Sequence, residues 1–375
     1  MRIAILHNRD SDLLEDDPGR EARQEVEQVA HHLSVELSSP EREVSLVPVD
    51  GDVFAFGPQL NAVRPDVVVN LCESLVADAR GEMVIPALLE LLGAPYTGSP
   101  ALALGLALHK DQAKQLLKAA GVPTPDFCVV SSVAEVSQVK LPYPLIVKPA
   151  REDASVAIDF DSVVHDRAAL GRAVGKVLRR LRQPALVERY IEGHEVYVPL
   201  LGNHPRRALP LTEIAYGKSF DNKPKVLTYR AKWDETSNEC IDSPSKPCTL
   251  DEKLQQKCIE SAFKAFDALG CRDYGRVDLR VSPEGECYVI DINPNCDLHP
   301  NSGFAKAANE AGIAYGDLAL HLLELALERS HGNQAPRRTR QTAARRAAVA
   351  HRDLLSGRSA RRARADRPHA HAKQP

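Results

Sequence analysis

The stretch from Tyr274 to Ser302, YGRVDLRVSPEGECYVIDINPNCDLHPNS, places the tightest constraint on the fold. Two apolar-alternating runs flank a Pro-Glu-Gly turn, the pattern of a β-hairpin. Centring the loop on Glu284 and Gly285 sets Asp278 opposite Asp291 and Arg276 opposite Asn293. Val277, Leu279 and Val281 then share the other face with Tyr288, Ile290 and Ile292. A slip of one residue would mix the two sets, which a buried face forbids, so the apolar pattern argues against a three-residue loop. One face is expected to be core. The other gathers two carboxylates, an amide and a guanidinium. Oxygens clustered this way suit Mg²⁺, a hard cation usually shared with substrate phosphates. An exposed face with ordinary salt bridges is the competing reading. Asn-Pro-Asn directly after the strand weighs against it, because it ends pairing abruptly, as where a strand delivers side chains to a site.

At 375 residues the chain can bury a sizeable core in two or three lobes. It contains no apolar run long enough to span a membrane. MRIAILHNRD enters a strand pattern directly, without a secretory h-region, so a cytoplasmic location is expected. Eight cysteines are scattered without a CxxC pair, which argues against a zinc ribbon or disulfide framework and fits reduced thiols. The net charge of −3 hides an asymmetry. Residues 333–375 carry +10, leaving −13 on the rest. This Arg-, Ala- and His-rich tail is expected to be disordered. A contact with nucleic acid is one reading of it. The absence of interleaved aromatic residues favours a solvated extension instead.

Strand patterns at Arg2–His7, Val44–Val49 and Asp66–Leu71 alternate with helical patterns at Glu21–Leu33 and Val84–Leu92, which predicts a parallel α/β sheet. Neither GxGxxG nor GxxxxGK[ST] occurs there. Helix His109–Ala119 follows. Strands Pro144–Pro149 and Val156–Val164 and helix Arg167–Arg182 suggest an α+β lobe. Ala185–Ile191, Glu195–Leu201 and Ala208–Ile214 read as strands, residues 216–248 as loop, and Leu250–Leu269 and Tyr315–Arg329 as helices. Lys148 ends an apolar strand before a loop, where its charge would suit a phosphate. Lys110 opens a helix, against the positive end of the dipole, so a nearby anion would offset it.

Seven segments now carry a resemblance. LLELLGAPYTGS, LHKDQAKQLLKAAGVPTP, PLIVKPAREDAS, LVERYIEGHEVYV, YRAKW, LGCRDYGRVDLRV and YVIDINPN follow the order and spacing of ATP-grasp carboxylate–amine ligases. The set most resembles the D-alanine–D-alanine ligase group and covers about residues 1–330. The resemblance implies a three-lobed ATP-grasp architecture, mixed α/β and α+β. Its parts would be a substrate-side domain at 1–109 with the parallel sheet, a central lobe at 110–187 and a catalytic lobe at 188–332. The basic tail at 333–375 lies outside it.

It also implies roles. Lys110, Lys148 and Lys232 would contact ATP phosphates. Glu188, Arg189 and Ile191 would form the adenine pocket, and Glu195 would hold the ribose. Asp278, Asp291 and Asn293 would bind two Mg²⁺, with Mn²⁺ as the alternative ion. Arg276 would stabilise a tetrahedral intermediate and Ser302 would hold the acceptor carboxylate. Glu21, Glu73 and Glu82 are candidates for the substrate amine, with Glu82 the nearest fit. The implied reaction joins two amino-acid-like substrates, a carboxylate and an amine, through an acyl phosphate, in peptidoglycan precursor synthesis or a specialised metabolite. Homodimers are usual in the resembling family. A nucleotide-binding regulator acting through its basic tail is the alternative, disfavoured by retention of the whole ATP-side set.

Four departures cluster on the amino-acid side. The family's glycine-serine pair after the strand lysine is Asp153-Ala154, with Ser155 next. Trp233 replaces the tyrosine after the lysine of the family's Ala-Lys-Tyr motif. The proline-glycine after the metal asparagine is absent, and Asp297 stands at the glycine's place. The N-terminal glycine-rich turn is not recognisable. These point to substrates other than D-alanine. Asp297 offers a charge for a substrate cation, or equally a cap for its own turn.

Overall fold

Arg2–Asn8 is the central strand of a three-stranded parallel sheet, between Glu43–Val49 and Val67–Asn70. Ile3 and Ile5 pack on Val26, Val29 and Leu33 of helix Arg20–Leu37. Ala4 and Leu6 face the other way, toward Phe56 and Leu60 of helix Val53–Val63 and Ile85 and Leu89 of helix Val84–Leu92. Burial on both faces explains why the strand reads as an unbroken apolar run. The structure, a computed structural model, describes residues 1–9 and 20–332. The expected disorder and nucleic-acid contact of residues 333–375 lie outside the described residues. One unit spans Met1–Glu328.

A four-stranded antiparallel sheet follows, in the order Phe127–Val130, Ala185–Arg189, Leu145–Pro149, Val163–Val164. Helix Arg167–Leu181 covers it with Leu170, Val174 and Val177. Asp166 caps that helix by accepting from the Ala169 amide at 2.7 Å. The expected strand Val156–Val164 is mostly not a strand. Ala154, Ser155 and Ala157 adopt φ of 55°, 59° and 60°, which a pleated ladder cannot hold.

The remaining strands form one antiparallel sheet, in the order Ser245–Pro247, Thr212–Ile214, His194–Leu201, Tyr274–Val281, Cys287–Asn293, with Arg207–Ala208 added on His194–Leu201. The expected strand Ala208–Ile214 is therefore split. Pro210, which has no N–H to give a ladder, lies in the gap. Helix Glu252–Ala268 buries Cys258, Ala262 and Phe266 against Val277 and Leu279. Helix Lys110–Ala119 packs Ala113 and Leu117 into the same core. Residues 216–248 are less loop-like than expected, since they hold the short helices Tyr229–Trp233 and Asn238–Ile241.

The hairpin corrects the sequence reading at its tip. Arg276 pairs with Asn293 and Asp278 with Asp291, as expected. Beyond them the ladder shifts, so that Leu279 pairs with Val289 and Val281 with Cys287. Ile290 is the extra residue of a β-bulge. The loop is the three-residue Pro283-Glu284-Gly285, with the Ser282 amide donating to the Glu286 carbonyl at 2.9 Å. Gly285 supplies the left-handed φ of 78° that closes it. The core face thus holds Val289 and Cys287 with Ile292, and Tyr288 and Ile290 turn to the other face. Tyr288 lies under the Arg189 guanidinium, 5.2 Å from its ring centre.

All eight cysteines are free thiols, and no helix among the described residues is long and apolar enough to cross a membrane.

Candidate active site

The bulge leaves the base of the hairpin in register, and there the charged face assembles. The Arg276 fork donates to both oxygens of Asp278, at 2.6 and 2.9 Å. Asn293 Nδ2 donates to Asp278 Oδ2 at 3.1 Å. Asp291 accepts from Lys110 Nζ at 2.8 and 2.7 Å, and Asp153 accepts from the same ammonium at 2.9 Å. Burial works against the Lys110 charge, but Asp153 and Asp291 outweigh it and raise its pKa. These are the anions expected to offset a lysine at a helix start. Burial raises the pKa of Asp278, Arg276 offsets part of the rise, and the Asp291 charge adds to it.

Among the described residues, no group of three or more His, Cys, Asp or Glu could hold a metal by itself. Two carboxylates and an amide at adjacent register positions fit a different design. A hard divalent cation here would take its remaining oxygens from a phosphate chain and would relieve the repulsion between Asp278 and Asp291.

A cavity of about 170 Å³ adjoins this face. Lys148, Glu188, Arg189, Ile191 and Glu195 line it, as does the bulged Ile290. Glu188 is almost fully buried, 2.7 Å from Lys114 and 2.5 Å from Lys148. Burial alone would raise its pKa, yet the two lysines hold it at about 2. Two ammonium groups on one carboxylate leave a net positive charge in the wall, suited to a polyphosphate. Glu195 accepts from the Tyr197 hydroxyl at 3.1 Å and the Tyr216 hydroxyl at 2.5 Å, and pairs with Arg280 at 3.1 Å.

A larger cavity of about 620 Å³ shares a wall with the first, formed by Asp153, Ala154, Tyr197, Lys232, Arg276 and Asn293. Lys232 comes from helix Tyr229–Trp233, which Thr228 caps by accepting from the Ala231 amide at 3.0 Å. Its side chain is open to the cavities although protein surrounds them. That crowding lowers its pKa, as does the Arg276 charge. Glu82 and Ser302 both line the larger cavity. Glu82 accepts from Asn295 Nδ2 at 3.0 Å, and burial, with the Asp153 charge, holds its pKa well above the usual carboxylate range. Ser302 Oγ accepts from the Ala305 amide at 3.2 Å and so caps helix Gly303–Glu310. The side chain of Glu21 lies outside the described residues.

Two of the departures meet here. Trp233 Nε1 donates to the Ala154 carbonyl at 3.0 Å, tying helix Tyr229–Trp233 to the left-handed loop after Lys148. Asp297 Oδ1 accepts from the His299 amide at 2.6 Å, so it caps its own turn, and it also lines the cavity.

Apart from Glu21, every residue given a role from the sequence lines one or both cavities. Others join them. Lys114 stands behind the wall, paired with Glu188, and was signalled only by following Lys110 by one helical turn. Asn295 bridges Glu82, the Cys72 carbonyl at 3.1 Å and the Tyr274 hydroxyl at 2.9 Å. Glu25 lies on helix Arg20–Leu37 and had no signal beyond following Glu21 by four positions.

Comparison with known proteins identifies the family and the fold. The family profile described as D-ala D-ala ligase C-terminus matches residues 116–324. A D-alanine–D-alanine ligase of Carboxydothermus hydrogenoformans is 35% identical over 312 residues, 77% of this chain and 96% of that protein. An uncharacterised protein of Sinorhizobium fredii, y4sG, is 37% identical over 71% of this chain and 76% of its own length. Among solved structures, the ATP complex of the Bacillus anthracis D-alanine–D-alanine ligase superposes with a TM-score of 0.69 at 20% identity, covering 88% of this chain and 99% of that one. The fold is thus ATP-grasp, and the chain belongs to the D-alanine–D-alanine ligase family.

Proposed function

We propose that this protein is an ATP-dependent, ADP-forming ligase that joins two amino-acid-like substrates into an amide through an acyl phosphate. The observation that carries the reading is the shared wall, where Arg276, Lys232 and Asn293 stand between a phosphate-suited cavity and a larger polar one. A phosphoryl group held in one can reach a carboxylate held in the other.

The side chains divide the work. Lys110, Lys148 and Lys232 hold the triphosphate, with Glu188 and Lys114 fixing Lys148. Arg189, Ile191 and Ile290, with the main chain at Glu188, enclose the base, and Glu195 takes the ribose hydroxyls. Asp278, Asp291 and Asn293 would hold Mg²⁺, two ions or Mn²⁺ in its place, which would supply charge neutralisation for the phosphoryl group. Arg276 presents its fork to the oxyanion at the acyl carbon as the amine attacks. Glu82 receives a substrate ammonium. Ser302 and the amides at the start of helix Gly303–Glu310 receive the acceptor carboxylate.

The lobes are 1–109, 110–187 and 188–332, working as a homodimer in the cytoplasm. The substituted residues, Asp153-Ala154, Trp233 and Asp297, face the larger cavity, which supports substrates other than two D-alanines. An ADP-release screen across pairs of D- and L-amino acids tests both levels. Absence of ADP with every pair would end the ligase reading. If D-alanyl-D-alanine formed as fast as any other amide, the altered-substrate reading would fall while the ligase reading stood.

A further inference from the structure

The larger cavity carries more carboxyl groups than a zwitterionic amino acid and the facing cations can match. Seven carboxylates and three cationic groups line it. Three of the carboxylates arrive from separate segments: Glu25 from helix Arg20–Leu37, Glu73 from the turn after strand Val67–Asn70, and Asp297 from the loop after strand Cys287–Asn293. Among the described residues, the Glu25 and Glu73 carboxylates have neither an ion pair nor a hydrogen bond. Asp297 commits only Oδ1, to its own turn.

The three are close enough to act on one another. Burial and then the Asp297 charge raise Glu25 to about 7 and Glu73 to about 8. The facing cations do not relieve them. Lys232 lowers both pKa values and still leaves them high. Arg276 is held by Asp278, and Arg23 acts on Asp78 and Glu152. Like charges kept together without partners oppose one another in the free protein, and a bound cation removes the conflict.

The proposed mechanism uses none of the three. Glu82, held by Asn295, suffices for one α-ammonium. A second positive group is what the remaining carboxylates match, and about 620 Å³ leaves room for a long side chain. We propose that Glu25, Glu73 and Asp297 select a substrate bearing a side-chain ammonium or guanidinium, so that at least one of the two joined amino acids is basic. The inference rests on the ligase reading for the identity of the cavity.

Matched pairs of ligands test it on the full-length protein. Calorimetric titration with arginine against its neutral isostere citrulline, and lysine against norleucine, isolates the charge. Both enantiomers are used, at pH 8. The basic member is expected to bind at least about tenfold tighter, the scale of a partly desolvated charge pair. Its binding heat should vary with buffer ionisation enthalpy, because carboxyl groups that ionise on pairing with the cation release their protons to the buffer. Glu73→Gln and Asp297→Asn should each shrink the arginine-to-citrulline ratio and leave citrulline affinity in place. A purely structural role would weaken both ligands alike. Equal affinity within each pair overturns the inference whatever the variants do.

ADP release with Mg²⁺-ATP separates the two levels. ADP formed with neutral partners as fast as with basic ones removes the charge selection and keeps the ligase. Tight arginine binding without ADP from any pair removes the ligase and keeps the cation site.

Discussion

The Lys110 ammonium lies 2.8 and 2.7 Å from the two carboxylate oxygens of Asp291, although 181 positions separate the residues. One comes from the start of helix Lys110–Ala119, the other from strand Cys287–Asn293. The carboxylate proposed to ligate metal is therefore held by the lysine proposed to hold phosphate. The lysine excludes a cation from Asp291 while it occupies both oxygens, so metal and nucleotide should bind together, with Asp291 then free to hold the metal and Lys110 free to hold phosphate.

Lys110→Met breaks that exclusion. Without the lysine, Asp291 and Asp153 face each other unneutralised, and Mg²⁺ should bind the nucleotide-free protein more tightly than it binds wild type. Turnover should fall by about two orders of magnitude, the usual effect of losing one preorganised charge on a transferring group. Calorimetric Mg²⁺ titration and ADP release measure the two effects. Unchanged Mg²⁺ affinity would show that Lys110 does not guard Asp291.

Arg276→Lys keeps the charge and removes the fork. Arg276 spans both oxygens of Asp278 and stacks over Tyr197, its guanidinium carbon 4.6 Å from the ring centre. A lysine can reproduce neither contact. kcat for ADP formation should drop by about 10²–10³, with a small change in KM for ATP, because the lost donor acts on charge that develops only in the transition state. An equal rise in KM with kcat intact would instead make Arg276 a ground-state ATP contact.

The base of the hairpin was legible because its register is set by residues of opposite character, Val277 against Asp278 and Ile292 against Asp291. The tip was not. Tyr288 and Ile290 count as apolar in any pattern, and nothing local reveals that one is covered by Arg189 and the other lines a cavity. A bulge restores the register the loop had lost, and only the opposing strand shows it. Helix Ala101–Leu108, ALALGLAL, escaped for a different reason. Five of its eight residues are buried, so it has little of the one-sided periodicity that marks a surface helix. The nucleotide side of the site could be read from lysines and carboxylates in ordered motifs. Glu25, Glu73 and Asp297 meet only in three dimensions.

Glu188→Gln should be strongly destabilising. Its carboxylate is the shared anion of two lysines, and removing it leaves Lys114 and Lys148 side by side in a buried wall. Stranding a buried charge costs about 3–5 kcal/mol. Lys114→Met in the same chain should recover much of the loss, since one lysine then remains near an amide. The native pKa of about 2 lies below the unfolded value of 4.5, so this carboxylate adds stability above pH 4.5 that is lost as pH falls toward 2. Chemical denaturation of both variants at pH 7 measures the coupling. Additive losses would mean that the three groups do not act as a unit.

Trp233→Phe removes one donor, the indole N–H on the Ala154 carbonyl. A single neutral hydrogen bond is worth about 1 kcal/mol, too little to unfold the protein but enough to loosen a strained loop. Ala154 and Ser155 hold φ of 55° and 59°, and a side chain in that region costs about 1 kcal/mol relative to glycine. The variant should show faster protease cleavage within 152–157 and a higher KM for ATP, at nearly unchanged melting temperature. Ala154→Gly should relieve the strain. Should cleavage and KM stay at wild-type values in Trp233→Phe, the tryptophan does not latch the loop.

Glu25 and Glu73 give the ligand-free protein a pH dependence of opposite sign to Glu188. Their native pKa values, about 7 and about 8, lie above the unfolded value of 4.5. A carboxyl group raised on folding binds its proton more tightly in the native state. Its contribution to stability is complete below pH 4.5 and declines as pH rises through the native pKa. The melting temperature of the free protein should therefore fall from about pH 5 to about pH 8, most steeply between about pH 5.5 and 7, where both groups are protonated only in the native state, and level off near pH 9. Both side chains are only partly buried and line the cavity, so the total loss is at most a few kcal/mol. Glu73→Gln removes the larger part of the dependence and should melt above wild type at pH 9 and near it at pH 5. A saturating cationic ligand should flatten the wild-type curve in the same way. A wild-type melting temperature that held level from pH 5 to 9 would mean that the carboxylates find partners in solution, and that the cavity has no unmet charge to offer.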